Sequence, residues 1–173
     1  MDRVIQAYGG LLHMDFAPPR GAHSYRRLDP ALLPPMFVAW DPAPGEMSGV
    51  PHADVRRRWE RGDPAVREAM ATFPRLVDRA LGCLECGDRE GFLRCVDRNF
   101  DTRASIWPCR ESDLQMVRVG RACGAAVKFA GSGGAVVGFL RDEAQRAAVE
   151  KAYAESGYCC ARPRLEPPAE SRA

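Results

Sequence analysis

The residues best suited to chemistry lie in a glycine-rich stretch, residues 128–140, which reads KFAGSGGAVVGFL. At its centre, Gly131, Ser132, Gly133 and Gly134 let the backbone adopt positive φ angles and approach a ligand closely. Successive N–H groups in such a turn can form a concave anion site, to which Ser132 adds a hydroxyl. From the residues alone an ordinary turn between two core strands is the alternative, because glycine is also a common turn residue.

This glycine loop fits neither of the two common nucleotide-binding motifs. A phosphate loop of the Walker type needs Gly-Lys-Ser/Thr leading into a helix, and the dinucleotide fingerprint needs three spaced glycines between a strand and a helix. Here the residues after Gly134, AVVGFL, continue as a buried strand. The predicted geometry is therefore strand, loop, strand.

Composition limits the classes of protein to consider. With 173 residues, 46% of them hydrophobic and 28% charged, the chain has the size and balance of one well-packed globular domain or a small domain with an appended segment. No run approaches the 18 apolar residues of a membrane span, and the N-terminus lacks a signal-peptide pattern, so we expect a cytoplasmic protein with no membrane partner. The basic residues, 23 arginines and two lysines, are interspersed with acids. No nucleic-acid partner is expected from that pattern.

Seven cysteines are present, and their spacing suggests no disulfide framework. Cys83 and Cys86 form a CxxC sequence, but no second pair follows at zinc-binding spacing. We therefore expect buried free thiols in a reducing compartment and no metal site.

Hydrophobic periodicity predicts the elements that must position the loop. The expected helices cover residues 4–8, 52–61, 64 to about 81, 88 to about 107, 112–124 and 142–156, and the expected strands cover residues 11–14, 36–40, 125–130, 134–140 and 158–165. Asp63 and Pro64 form an N-cap and N1 pair, Ser112 is expected to cap the following helix, and Pro74 is expected to kink its own. Val55 and Trp59, four residues apart, predict an apolar side for the helix at 52–61.

The sequence also predicts a proline-rich turn at residues 17–21, a long loop at 41–51 and a helix end at the CxxC segment. The order of elements predicts an α+β domain, in which helices cover one face of a largely antiparallel sheet.

Five segments together resemble the GHMP family of small-molecule kinases, and within it glucuronokinase. They are residues 2–16, 32–35 (LLPP), 52–63, 99–103 (NFDTR) and the glycine loop, which resembles the third motif of the family. The resemblance covers about residues 2–165 and keeps the order of the family. It implies a C-terminal GHMP-type domain with helices on one face of a mostly antiparallel, ferredoxin-like sheet.

The resemblance also implies a division of the chain. Residues 1–30 would be a remnant of an N-terminal kinase domain with its connecting segment, residues 31–165 the C-terminal-like domain, and residues 166–173 a disordered tail. The family's nucleotide-gripping loop, of the Pro-x-x-x-Gly-Leu-x-Ser-Ser type, has no counterpart here. We therefore expect the C-terminal portion of a kinase, inactive alone, whose exposed joint could promote self-association.

By the same resemblance, the complete enzyme is an ATP-dependent sugar-1-kinase that uses ATP and Mg²⁺ to phosphorylate glucuronate. Neither ATP nor Mg²⁺ is expected to bind tightly to this chain alone. Asp2 matches the catalytic aspartate, and residues 131–134 would lie beside the phosphates. The candidates for binding the sugar acid are Tyr8, His52, Arg56, Arg58 and Arg103. For the arginines an ordinary ion pair is the alternative, for His52 a solvated or capping role, and for Tyr8 a core position.

The residues are also compatible with two other functions. One is a different GHMP sugar kinase that acts on galactose, fucose or a heptose phosphate and needs no carboxylate partner. The other is a non-enzymatic α+β module that binds a ligand or partner chain.

Overall fold

The computed structural model describes residues 2–16, 24–42 and 50–165, with the backbone alone for residues 2, 3 and 50–52. The predicted turn at 17–21, most of the predicted loop at 41–51 and the predicted tail at 166–173 lie outside the described residues. The chain divides into two compact units. The first unit comprises residues 1–33 with 163–173, and the second comprises residues 34–162.

The first unit contains one helix and one strand pair. Its elements are α1 (Asp2–Tyr8), β1 (Leu11–Asp15), β2 (Ser24–Leu28) and a 3₁₀ turn (Pro30–Leu32). Strands β1 and β2 are antiparallel, with Leu11 opposite Leu28 and Asp15 opposite Ser24. Helix α1 and β1 were predicted, whereas β2 was missed because only Tyr25 and Leu28 of its five residues are apolar.

The second unit is an α+β domain with a four-stranded sheet. Its elements are β3 (Met36–Trp40), α2 (Val50–Glu60), α3 (Pro64–Cys86), α4 (Arg89–Ile106), α5 (Glu111–Ala122), β4 (Ala126–Phe129), β5 (Ala135–Phe139), a 3₁₀ turn (Glu143–Gln145), α6 (Arg146–Glu155) and β6 (Cys159–Ala161). The strand order is β4-β5-β3-β6, and every neighbouring pair is antiparallel. With the helices α2 to α5 as one long crossover, this is the β-α-β-β-α-β topology of ferredoxin-like folds. The predicted fold class is confirmed.

One face of the sheet carries the main core. Phe37, Val127 and Val136 point from three neighbouring strands, and each is at most 1% exposed. They pack against α5 and α6 through residues such as Met116 and Tyr153. The Tyr153 hydroxyl donates to the Met116 carbonyl oxygen at 2.8 Å, so the buried phenol is satisfied inside the core.

Helix α4 packs along β4, at the edge of the sheet. The Phe100 ring meets Phe129 at 5.1 Å between centroids, and Phe92 meets Phe139 at 5.0 Å. The Asp97 carboxylate accepts a hydrogen bond from the Val127 N–H at 3.1 Å. An edge-strand donor is thereby paired by a side chain of the adjacent helix.

Several predicted boundaries need correction. Helix α3 is capped by Asp63 as predicted but extends to Cys86, where Gly87 ends it with φ 75° in the left-handed region. It therefore includes the CxxC segment in its last turn, and it continues through Pro74. Helix α2 begins at Val50 rather than residue 52, because the missing N–H of Pro51 is tolerated in a first turn.

The predicted Ser112 cap is wrong. Helix α5 begins one residue earlier, at Glu111, and its N-cap residue Arg110 makes no side-chain cap. On α2, Val55 is 4% exposed as predicted, but Trp59 is 47% exposed and lies outside the apolar side.

Near the C-terminus, α6 begins at Arg146 after a 3₁₀ turn rather than at residue 142. Strand β6 pairs only as far as Ala161, short of the predicted end at residue 165. Among the described residues, no helix combines the length and apolar character that crossing a lipid bilayer requires.

Candidate functional site: the glycine loop

The glycine loop joins two antiparallel core strands, as its sequence predicts. Strand β4 ends at Phe129, β5 begins at Ala135, and the Ala130 N–H donates to the Ala135 carbonyl oxygen at 3.0 Å. This bond closes the hairpin and leaves residues 131–134 as its tip. Gly133 and Gly134 have φ angles of 148° and 74°, both in a region that side chains disfavour.

Arg103, from α4, holds the first half of the loop. Its Nη1 donates to the Gly131 carbonyl oxygen at 2.9 Å, and its Nη2 donates to the Ser132 carbonyl oxygen at 3.1 Å. The guanidinium also lies over the rings of Trp107 and Phe129, at 5.0 and 5.1 Å from their centroids. Burial lowers the pKa of Arg103 from its ordinary value.

Asp113, from the first turn of α5, holds the second half of the loop. Its Oδ1 accepts the Gly134 N–H at 2.9 Å, and the side chain is only 5% exposed. Arg110 pairs with the same carboxylate, with Nε to Oδ2 at 3.1 Å. A Cβ atom on Gly133 would lie 2.6 Å from Asp113 Oδ2, so glycine is required for this approach.

Lys128 adds a second half-buried cation at this end of the sheet. Its Nζ donates to the Phe129 carbonyl oxygen at 3.2 Å. Burial lowers the pKa of Lys128, and the charge of Arg103 lowers it further. Because Arg110 already pairs with Asp113, the surroundings of the loop carry more positive than negative charge, which favours an anion there.

The other predicted arginines have contacts away from the loop. On α2, Arg56 Nε lies 3.4 Å from Glu60 Oε1, and its side chain is 81% exposed. Arg58 Nε donates to Asp63 Oδ2 at 2.9 Å and Nη1 donates to the Ile106 carbonyl oxygen at 2.8 Å. The Arg58 guanidinium lowers the pKa of Asp63. Arg58 thus ties the start of α3 to the end of α4, and the sugar-binding role of both arginines stays a prediction.

The remaining predicted residues divide between the two units. In the first unit, the Tyr8 ring is 5.6 Å from that of Tyr25 by centroids, and Arg27 lies 5.6 Å over it. Asp2 begins α1 and His52 lies in the first turn of α2, but their side chains are outside the described residues. Among the predicted residues of the second unit whose side chains are described, Arg103 contacts the loop.

Asp113 is the site residue that sequence reasoning missed. The one available signal is its spacing from Arg110, three residues apart at a helix start, and such pairs are common on helix surfaces. Among the described residues, no group of three His, Cys, Asp or Glu side chains could hold a metal ion, and all seven cysteines are free.

Comparison with known proteins identifies the relatives of the chain. No family model matches it. It is 38% identical over 166 residues, 91% of its length, to "Probable glucuronokinase 2" of Arabidopsis thaliana. It is also 38% identical over 145 residues to "Glucuronokinase 1" of the same plant. The chain is homologous to glucuronokinase. It spans 45% and 40% of these two relatives, less than half of each, and matches their C-terminal part.

Solved structures agree on the fold. Mevalonate kinase of L. major, crystallised with R-mevalonate, superposes with a TM-score of 0.74 at 18% identity, over 95% of this chain and 53% of that one. The Lin0012 protein of Listeria innocua superposes with a TM-score of 0.73 at 13% identity, over 89% of this chain and 46% of that one. Together with the glucuronokinase relatives, these superpositions confirm the resemblance to a GHMP kinase with an α+β, C-terminal-like domain.

Proposed function

We propose that this chain forms the C-terminal part of a sugar-acid kinase that transfers the γ-phosphoryl group of ATP to the anomeric hydroxyl of D-glucuronate. The products would be glucuronate 1-phosphate and ADP. The observation that supports this most is the 38% identity to a glucuronokinase relative over 91% of the chain. Because the chain spans 45% of that relative, we expect the 173 residues to bind the sugar acid, but neither to bind ATP tightly nor to turn over at a normal kinase rate.

Phosphoryl transfer depends mainly on positioning the reactants and neutralising spread-out negative charge. The glycine loop supports the second task, because the cations of Arg103 and Lys128 lie beside it. In this proposal residues 131–134 face the phosphates, and Asp2 takes the proton of the sugar hydroxyl. Mg²⁺ would neutralise phosphate charge when bound with ATP. Among the described residues, no three metal ligands lie together.

A sugar carboxylate is best held by an arginine that donates two parallel hydrogen bonds. Arg56 and Arg58 are the candidates on α2, and Arg103 is the candidate at the loop. Both terminal nitrogens of Arg103 already donate to loop carbonyls. Arg56, 81% exposed, has the most accessible guanidinium of the three. Tyr8 and His52 would contact sugar hydroxyls.

We further propose that residues 1–30 derive from the N-terminal kinase domain and its connecting segment, and that residues 31–165 form the C-terminal-like domain. The compact unit of residues 34–162 supports a boundary close to residue 31.

Calorimetric titration with three ligands tests the proposed function. The purified chain is titrated with D-glucuronate, D-galactose and ATP. We expect binding of glucuronate in preference to galactose, because only glucuronate offers a carboxylate to an arginine. Equal binding of galactose would favour another GHMP sugar kinase, and binding of none of the three would favour a non-enzymatic module. A normal rate of ADP release with glucuronate would contradict the expected lack of turnover.

A second test lies in the gene upstream of the first codon. We expect this upstream segment to encode a loop rich in Gly, Leu and Ser, of the type that grips nucleotide phosphates in GHMP kinases. An unrelated domain at that place would contradict the kinase assignment.

A further inference from the structure

The contacts of Arg103 fix the direction of two consecutive peptide units. A peptide unit is planar and trans, so its C=O and N–H point in opposite directions. The Gly131 and Ser132 carbonyls both point towards the Arg103 guanidinium. The N–H groups of the same two peptide units, which belong to Ser132 and Gly133, must therefore both point away from Arg103. Two consecutive N–H groups directed to one side form the anion-binding concavity that the sequence predicts.

Asp113 fixes the other end of the loop. It takes the Gly134 N–H at 2.9 Å and approaches Gly133 so closely that a Cβ atom there would lie 2.6 Å from its carboxylate. The loop is thus held from α4 through its carbonyls and from α5 through an amide. Both contacts come from the chain itself, so the conformation is set before any ligand arrives.

The charge of Arg103 is only partly offset by its surroundings. Its hydrogen-bond acceptors are neutral carbonyls, and the Asp113 carboxylate, which partly opposes the lowering of the Arg103 pKa by burial, is also paired with Arg110. Since the nearby Lys128 also donates to a carbonyl, positive charge remains behind the loop. An anion on the opposite side, where the Ser132 and Gly133 N–H groups point, would be stabilised by both the donors and this charge.

We propose that Arg103 and Asp113 are positioning residues that orient the glycine loop for a polyphosphate, and that Arg103 does not bind the sugar carboxylate. This rests on the proposed function, because it names the residues that shape its phosphate side. Arg103 can hold two loop carbonyls only with its planar fork, so lysine should not replace it.

The test compares Arg103→Met and Arg103→Lys with the wild-type chain, using ¹⁵N-labelled protein. Arg141→Met is the matched control, because Arg141 is an exposed arginine paired with Glu90 and follows the end of β5 that lies away from the loop. Order of the backbone amides of residues 131–134 is measured by ¹⁵N relaxation and hydrogen exchange. Binding of tripolyphosphate is measured from the shifts of the same amides. Spectra of residues outside the loop establish that each variant is folded.

We expect Arg103→Met to lower the order of residues 131–134 and to weaken tripolyphosphate binding by about tenfold or more, the effect of losing hydrogen bonds from a charged donor. Arg103→Lys should lose loop order to the same extent while keeping part of the affinity, since it retains the charge. Arg141→Met should resemble wild type in both measurements. A merely structural role of Arg103 would lower thermal stability and leave tripolyphosphate affinity unchanged.

Asp113 provides a second pair of variants, which keeps the proposal testable if an Arg103 variant fails to fold. Asp113→Asn retains an oxygen for the Gly134 N–H and should keep the loop ordered. Asp113→Ala should lower loop order and tripolyphosphate affinity.

Two outcomes would overturn the proposal. One is unchanged loop order and tripolyphosphate affinity in Arg103→Met. The other is loss of glucuronate binding by Arg103→Met with an unchanged loop, which would make Arg103 a ligand of the sugar acid. Failure of the wild-type chain to bind either tripolyphosphate or glucuronate would count against the proposed function instead, while the loop-order comparison still decides the role of Arg103.

Discussion

Gly133 has no side chain, and this allows the Asp113 carboxylate to reach the backbone of the loop. A methyl group at that position would lie 2.6 Å from Asp113 Oδ2, and φ is 148°. Gly131, two residues earlier, has no atom within 4 Å of the corresponding position and no positive φ. A side chain would therefore clash at Gly133, whereas a side chain at Gly131 would meet no neighbouring atom.

We therefore expect Gly133→Ala to destabilise the chain by about 1–3 kcal/mol, through backbone strain and displacement of a buried carboxylate. Gly131→Ala should change stability by less than about 0.5 kcal/mol. Urea unfolding of the two variants beside the wild type measures the difference. Equal unfolding midpoints for the two variants would show that the Asp113 contact does not constrain the loop.

At the site, the sequence predicts those features that depend only on neighbouring residues in the chain. The glycine loop is visible because three glycines in four positions between two apolar strands predict a tight turn. Arg103 was found as a candidate, but its contacts with the Gly131 and Ser132 carbonyls depend on how α4 lies against β4. Asp113 gives only a weak signal, its spacing from Arg110, because an acidic residue in the first turn of a helix is ordinary whether it faces solvent or the core.

Helix starts in this chain depend on which side chain reaches the free N–H groups. Asp63 accepts from the Ala65 and Val66 N–H groups at 3.0 and 3.3 Å and also binds Arg58 at 2.9 Å. Ser112, which the sequence suggests as a cap, instead lies inside α5. Asp63 is therefore the N-cap of α3, whereas Ser112 has the residue type of an N-cap but does not act as one.

Asp63→Ala is expected to lower the unfolding temperature by about 2–4 °C, because the cap hydrogen bonds of α3 are lost. Ser112→Ala is expected to leave it nearly unchanged. Thermal unfolding followed by circular dichroism tests both variants. If the Ser112 variant were the less stable, the assignment of the start of α5 at Glu111 would be wrong.

At the level of elements, the long periodic segments were predictable and the pairings were not. The apolar residues of β3 and the Asp63-Pro64 start of α3 are local signals, and both were confirmed. Strand β2 was missed because its side chains are mostly exposed, so its strand character comes from pairing with β1. The length of β6 could not be read from residues 158–165, because it is set by the three residues of β3 that pair with it.

In the second unit as a whole, Tyr153 connects α6 to α5 through the core. It is 0% exposed, its hydroxyl donates to the Met116 carbonyl, and burial raises the pKa of Tyr153 above its ordinary value of 10.0. In the unfolded chain the phenol ionises near that ordinary value, whereas in the folded chain it stays protonated. The unfolded state therefore loses its proton first, and stability falls as pH rises above about 10.

Tyr153→Phe should remove this part of the alkaline loss of stability. It should also lower stability at neutral pH by about 1 kcal/mol, because the buried Met116 carbonyl loses its donor. Urea unfolding at about pH 7 and about pH 10.5 measures both effects. Tyr8→Phe is the control, since Tyr8 is 39% exposed. If Tyr153→Phe and the wild type lost the same stability between these two pH values, Tyr153 would not be the source of the alkaline loss.

Among the described residues of the second unit, three large apolar side chains are exposed. Trp40, Trp59 and Val77 are 39%, 47% and 45% exposed. Exposed apolar surface promotes association, so we propose that the purified chain self-associates as its concentration rises. Sedimentation velocity across a concentration series measures this, with Trp59→Gln and Val77→Gln expected to shift the distribution towards monomer. A wild-type chain that stays monomeric at every concentration would contradict the proposal.

The contact between Asp97 and the Val127 N–H limits how this sheet could grow. Unpaired N–H groups on an edge strand invite a strand from another molecule, the first step of many ordered aggregates. At β4 this donor is occupied by a carboxylate, and α4 packs along the strand. The opposite edge, β6, has three residues, which offer an incoming peptide few hydrogen bonds. Assembly of this unit should therefore proceed through side-chain surfaces rather than by extension of the sheet, and its aggregates should lack the cross-β diffraction spacing.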